Sequence, residues 1–260
     1  MNGEAVLVDR DGPVTTVTIN RPERKNALDV KAWTALREAI AAASADEQTR
    51  VVVLTGAGGA FCAGADLSDA DDEHPLHRMH VNNEIALALH HMPKPTIAKV
   101  RGVAVAAGWN LALGCDFVAA APGARFSQMF TRRALSVDLG GSWLLPRLVG
   151  LQQAKRLALL SEFVDTTEAA QLGLVTWVRP DAELDEFVDT IAGQLAALPP
   201  LALAQTKALL NEGAQSSLRQ ALDSEARAQA INFATEDAAT AFTAFRTKTE
   251  ATYTGRWAVR

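Results

Sequence analysis

The chain has 260 residues, 48% hydrophobic and 21% charged, a balance that suits a globular protein with a full core. A net charge of −5 with no basic block argues against a nucleic-acid binder, and the absence of a long apolar run or a basic leader argues against a membrane protein. Only Cys62 and Cys115 are present, too few for a disulfide framework, so two packed thiols and a cytoplasmic setting are expected.

The opening runs "AVLVD" and "VTTVTIN" flank Asp11-Gly12 and predict a β-hairpin. "DVKAWTALREAIAAA" follows as a helix, with Asp29 as its cap and Trp33, Leu36 and Ile40 on one face. The branched run "RVVVLTG" predicts a buried strand, as do "PTIAKV" and "CDFVAAA". Alternating strands and helices imply an α/β fold with crossover connections. The character changes at Leu198-Pro199-Pro200, beyond which only helical stretches such as "LALAQTKALLNEG" occur. An α/β unit over residues 1–198 and a helical subdomain over 199–260 are therefore expected.

One very polar segment, "SDADDEHPLHRMH", carries His74, His77 and His80 among acids. The paired His-Glu-x-x-His arrangement of a zinc site is missing, so a mobile surface loop running into a helix is expected, with no metal. "VVVLTGAGGAFCAG" begins as a dinucleotide fingerprint at Gly56 and Gly58, but Phe61 stands where the third glycine must allow close helix packing. No G-x-S-x-G elbow surrounds Ser142, which excludes the usual serine hydrolase.

Two small-residue turns remain, "FCAGADL" and "RGVAVAAGWNLALGCD", each after a strand. Small residues let a ligand approach the main chain, and converging peptide N–H groups there would form an oxyanion hole. Two tight turns that merely pack helices on a sheet would read the same way. "SVDLGGSWLLPRLVG" raises a similar choice, since Asp138 before Gly-Gly is either a helix cap or a proton-transfer group.

Across nearly its whole length the sequence resembles the crotonase superfamily, the enoyl-CoA hydratase/isomerase family. The resemblance rests on "NRPERKNALD", "GAFCAGADL", "VRGVAVAAGWNLALGCDFVAA", "FSQ", "DLGGSWLLPRLVG", "TTEAAQLGLVTWV" and "AFRTKTEATYTGR", in that order. It implies a crotonase-like spiral of ββα units with a helical C-terminal trimerisation region, and an acyl-CoA thioester as ligand. Coenzyme A enters as part of the substrate, with no separate cofactor. Homotrimers or homohexamers are expected.

By the same resemblance, the backbone N–H groups of Ala65 and Ala107 form the oxyanion hole. Lys25, Ala27, Ala63 and Leu67 lie along the coenzyme A path, and Lys248 reaches it, commonly from a neighbouring subunit. The family's hydratases carry two glutamates at positions filled here by Asn110 and Phe130, neither of which can move a proton. Asp138 matches an aspartate used by dienoyl-CoA isomerases and related enzymes. The expectation is double-bond isomerisation with Asp138 as proton shuttle and Phe130 and Trp143 as apolar walls. Hydration, C–C lyase or hydrolase chemistry with Asp138 activating water is the alternative within the family. A non-catalytic acyl-CoA-binding protein is the alternative outside it.

Overall fold

The computed structural model describes residues 4–68 and 74–258. Strands β1 (Val6–Asp11) and β2 (Val14–Ile19) form the expected antiparallel hairpin, with Val6 opposite Ile19 and Gly12 at φ +53° in the turn. Helix α1 (Val30–Ala45) starts where Asp29 accepts the Ala32 N–H at 2.8 Å, and it buries Trp33, Leu36 and Ile40. Strand β3 (Val51–Gly56) then pairs parallel to β2. Helix α2 (Pro75–His91) opens on His74, whose ring accepts the Leu76 N–H, so this histidine is a cap. The expected mobile loop preceding it falls largely on 69–73, outside the described residues.

Strands β4 (Thr96–Val100) and β5 (Val103–Val105) lead into helix α3 (Ala107–Leu113), then β6 (Phe117–Ala120) and β7 (Arg125–Ser127). Helix α4 (Gly141–Leu160) is interrupted at Gly150, φ +74°. After it come β8 (Val164–Asp165), α5 (Thr166–Gln171), β9 (Trp177–Val178) and α6 (Leu184–Ala196). Helices α7 (Pro200–Gly213), α8 (Leu218–Phe233) and α9 (Glu236–Thr247) complete the chain.

Six strands form one sheet in the order β1-β2-β3-β4-β6-β9, and β5-β7-β8 form a second. The main sheet is covered on both faces, which explains why its inner strands read as unbroken apolar runs. Val52, Leu54, Ala98 and Val118 enter the larger core with α1. Val51, Val53, Ile97 and Ala119 meet Leu184, Val188 and Ala192 of α6 on the other side. Among the described residues, no single helix is long and apolar enough to cross a membrane.

Residues 254 and 255 are tied back to α9 by a single carboxylate. Asp237, buried at the start of α9, accepts the N–H groups of Thr254 at 2.7 Å and Gly255 at 2.8 Å. Arg50 holds the neighbouring Tyr253 carbonyl at 2.8 Å. Asp237→Ala should lower the unfolding free energy by about 2–3 kcal/mol, because hydrogen bonds to a charged group are lost. Urea denaturation measures this, and an unchanged midpoint would contradict the tether.

Candidate active site

The two small-residue turns lie against each other through main chain. Phe61 and Cys62 donate their N–H groups to the Val103 carbonyl at 3.1 and 3.0 Å, and Val105 returns one to Cys62 at 2.9 Å. A Cβ on Gly108 would sit 2.3 Å from the Cys62 carbonyl oxygen. One on Gly64, at φ +89°, would sit 3.0 Å from the Val105 oxygen and 3.7 Å from the Ala107 nitrogen. Glycine at both positions is what lets the turns approach this closely.

Ala65 and Ala107 are thereby brought together. The peptides flanking Ala65 are occupied, since Ala63 donates to the Lys25 carbonyl at 3.0 Å and Asp66 to that of Leu28 at 2.9 Å. Among the described residues no acceptor takes the Ala65 N–H. Ala107 opens α3, where the first N–H groups have no partner inside the helix. The residue before it, Ala106, holds φ +51° and ψ −123°, a conformation that a side chain resists. Its N–H is anchored on the Ser127 carbonyl at 2.8 Å, which fixes the bend that precedes Ala107.

Ala65 and Asp138 line one cavity of about 520 Å³, walled by Trp33, Met79, Leu135 and Val137. Asp138 is not a helix cap. Gly140, at φ +77°, occupies that position on α4, and no side chain caps the helix. One oxygen of the Asp138 carboxyl, Oδ1, is buried without a hydrogen-bond partner. Burial pushes this carboxyl up to about 6, with its own N–H acting in the opposite direction. A carboxyl in this range accepts and returns protons near neutral pH.

Lys25, Ala27, Ala63 and Leu67 lie on two segments joined where the Ala63 N–H donates to the Lys25 carbonyl at 3.0 Å, and of this strip only Leu67 lines the cavity. Lys25 is exposed, while Leu67 reaches the cavity rim. Two residues that the sequence did not single out hold this strip. Asn26, fully buried at φ +57°, donates to the carbonyls of Ala57 and Ala60 at 2.8 and 2.7 Å and accepts the Arg21 N–H. Arg21 donates to the Ala27 carbonyl and pairs with Asp29 at 2.9 Å and Asp66 at 3.2 Å. The signal was an asparagine next to a lysine in a Pro-led turn, which tolerates the left-handed conformation.

Three expected residues lie elsewhere. Phe130 is buried beneath the turn of residues 131–133 and is not among the residues lining the Asp138 cavity. Trp143, in the first turn of α4, is not among the residues lining that cavity. Its indole packs edge-on against His90 of α2 at 5.2 Å, beneath Arg147, and lines a separate apolar cavity of about 350 Å³. Lys248 caps the end of α9 in a different surface groove. The two thiols, Cys62 and Cys115, are free and buried, each pushed up to about 12 by burial. Among the described residues, no group of histidines, cysteines or carboxylates is placed to hold a metal ion.

The Ala65 N–H and the Asp138 carboxyl share one cavity, while Ala107, at the start of α3 against the same turn, is not among the residues lining it. A main-chain donor and a buried carboxyl are groups that can hold a carbonyl oxygen and move a proton. A profile of the enoyl-CoA hydratase/isomerase family matches residues 9–256. The chain belongs to that family, the crotonase superfamily, and its α/β architecture is the crotonase fold. It is 35% identical over 260 residues to 1,2-epoxyphenylacetyl-CoA isomerase of Escherichia coli K12, covering 97% of this chain and 99% of that protein. Crotonyl-CoA hydratase of Syntrophomonas wolfei is 32% identical, with 96% and 98% covered. The crystal structure of an enoyl-CoA hydratase from Bacillus anthracis superposes with a TM-score of 0.90 at 32% identity, covering 97% of this chain and all of that one.

Proposed function

We propose that this member of the family catalyses double-bond migration in an unsaturated acyl-CoA thioester, with Asp138 as the proton shuttle. The observation that carries the reading is the buried, partnerless Asp138 oxygen in the cavity shared with Ala65. The thioester carbonyl lies between the N–H groups of Ala65 and Ala107. Asp138 takes a proton from the γ-carbon, the two donors stabilise the dienolate, and the same carboxyl returns the proton at the α-carbon. One carboxyl suffices for this exchange. Hydration needs a second acid or base, and the two positions where family hydratases carry glutamates hold Asn110 and Phe130. Trp33, Met79, Leu135 and Val137 supply the apolar surroundings that keep the carboxyl basic.

Coenzyme A follows the strip from Lys25 and Ala27 to Ala63 and Leu67. Lys248 completes its phosphate contacts from a neighbouring copy in a trimer or a pair of trimers, since within one chain it stands apart from the strip. The two free, buried thiols suit a cytoplasmic setting. The E. coli relative's name supports isomerisation; the hydratase names support the alternative.

Incubation in D₂O with 2-enoyl-, 3-enoyl- and dienoyl-CoA thioesters separates these outcomes. A shifted double bond with no added water is the expected result, with deuterium at the α- or γ-carbon to the extent that the Asp138 proton exchanges with solvent before its return. Gain of a whole D₂O would overturn isomerisation in favour of hydration. Binding without any change across the panel would favour an acyl-CoA-binding protein.

A further inference from the structure

Behind Asp138 runs a chain of two buried side-chain amides. Gln128 Nε2 donates to Asn110 Oδ1 at 2.8 Å, and Asn110 Nδ2 donates to the Asp138 carbonyl at 2.8 Å. Both side chains are closed to solvent, Asn110 at 1% and Gln128 at 0% exposure. The direction of the chain is dictated at its end. A peptide carbonyl can only accept, so Asn110 must present its nitrogen to Asp138 and its oxygen to Gln128. Gln128 is held in turn at its main chain, whose carbonyl accepts the Ser161 hydroxyl at 3.0 Å, while its side-chain Oε1 is buried without a partner.

The Asp138 carbonyl receives a second donor, the Gly141 N–H at 2.9 Å. Between these anchors the chain passes through Leu139 at φ +45° and Gly140 at φ +77°, a turn that a leucine does not adopt without support. The fit around the amide is close. A Cβ on Gly141 would lie 2.4 Å from Asn110 Nδ2 and 2.6 Å from Val137 Cγ1.

We infer that Asn110 and Gln128 are positioning residues, a buried strut that sets the Asp138 peptide so that its carboxyl stays inside the cavity with Ala65. The inference rests on the proposed role of Asp138. It also explains why an amide serves at position 110. A carboxylate could not donate to the Asp138 carbonyl and would place a second negative charge beside the base. The charged side chains lining the cavity are Asp29, Asp66 and Arg78. Asp29 and Asp66 are paired with Arg21, and neither acts on the Asp138 carboxyl, on which burial dominates.

The test is an infrared titration of the Asp138 carboxyl, with Asp138→Asn as the blank, in the full-length protein and in the Asn110→Ala and Gln128→Met variants. Loss of the strut should let water reach the carboxyl and move its midpoint down by at least one pH unit. In parallel, kcat for proton exchange should fall about tenfold to a hundredfold with KM within twofold. The double variant should be no worse than the weaker single one, because both act through one chain of bonds. An unmoved midpoint in a folded variant would overturn the strut, as would losses that track only the melting temperature.

If both variants fail to fold, the wild-type Asn110 side-chain amide still decides by NMR. Its protons should resist hydrogen exchange, and their shifts should titrate with Asp138; fast exchange and no titration would overturn the proposal. Full activity in Asp138→Asn would remove the proposed function, while the titration would still report on the strut.

Discussion

Asp138→Asn should reduce proton exchange on an unsaturated acyl-CoA by about 10²–10⁴-fold, the range for loss of a general base, while binding stays within a few-fold. Asparagine preserves the shape and removes the basic lone pair, so a rate loss at constant Kd isolates proton transfer. The wild-type rate should rise with pH through about 6, as the carboxyl ionises, and the residual activity of the variant should lack that limb. Full activity in Asp138→Asn, or a wild-type profile flat between pH 5 and 7, would remove Asp138 from the mechanism.

The same substitution should stabilise the fold. Burial raises the native-state value from 3.8 to about 6, so the native state binds this proton more tightly than the unfolded chain does. That contribution is fully present below about pH 4 and is lost as pH rises through about 6, a change of about 2–3 kcal/mol at 1.36 kcal/mol per unit. Asparagine stays neutral throughout. Asp138→Asn should therefore raise stability by about 2–3 kcal/mol at pH 8 and change little near pH 4. Denaturant titrations at the two pH values compare the two effects directly.

Gly108→Ala should be nearly as damaging to the rate, by a different route. The new Cβ would stand 2.3 Å from the Cys62 carbonyl oxygen and 2.8 Å from the Cys62 carbon. Both are main-chain atoms, so the residue 61–64 turn must move away from α3. The Ala65 and Ala107 donors would then no longer converge, and loss of one such donor typically costs about 10²–10³ in rate. Overpacking of this kind also costs about 1–3 kcal/mol of stability. Gly123→Ala is the matched control, because nothing lies within 4 Å of a Cβ there. Equal activity in the two variants would show that the approach of the turns does not matter.

Periodicity and capping made much of the frame legible in the sequence. The Asp11-Gly12 hairpin, the Asp29 cap and the three long buried strands all have strong local signals, and the structure has each of them. Strands β8 and β9 have two residues each, too short for any alternation to register. They exist because neighbouring strands offer unpaired main chain, which is a tertiary cause. At the site, Asp138 was visible as a choice between cap and base, and only the position of Gly140 on α4 decided against the cap. The direction of Trp143 was not legible. It depends on the left-handed bend at Leu139 and Gly140, which swings α4 toward the end of α2. The Arg21 clamp was hidden for a similar reason, since its partners Asp29 and Asp66 meet only after the chain folds.

The close approach of Gly64 and Gly108 to neighbouring main chain has a bearing on how this molecule can drift as sequences diverge. Where the useful groups are peptide nitrogens, almost any side chain at the exposed position 65 leaves the donor in place, whereas Ala107 is buried in the core and accepts only a small one. A library of single substitutions would then score position 65 as permissive and the silent Gly64 beside it as intolerant. The record of the chemistry would be written in residues that never touch the substrate, and a map of tolerance alone would point one residue away from the groups that act.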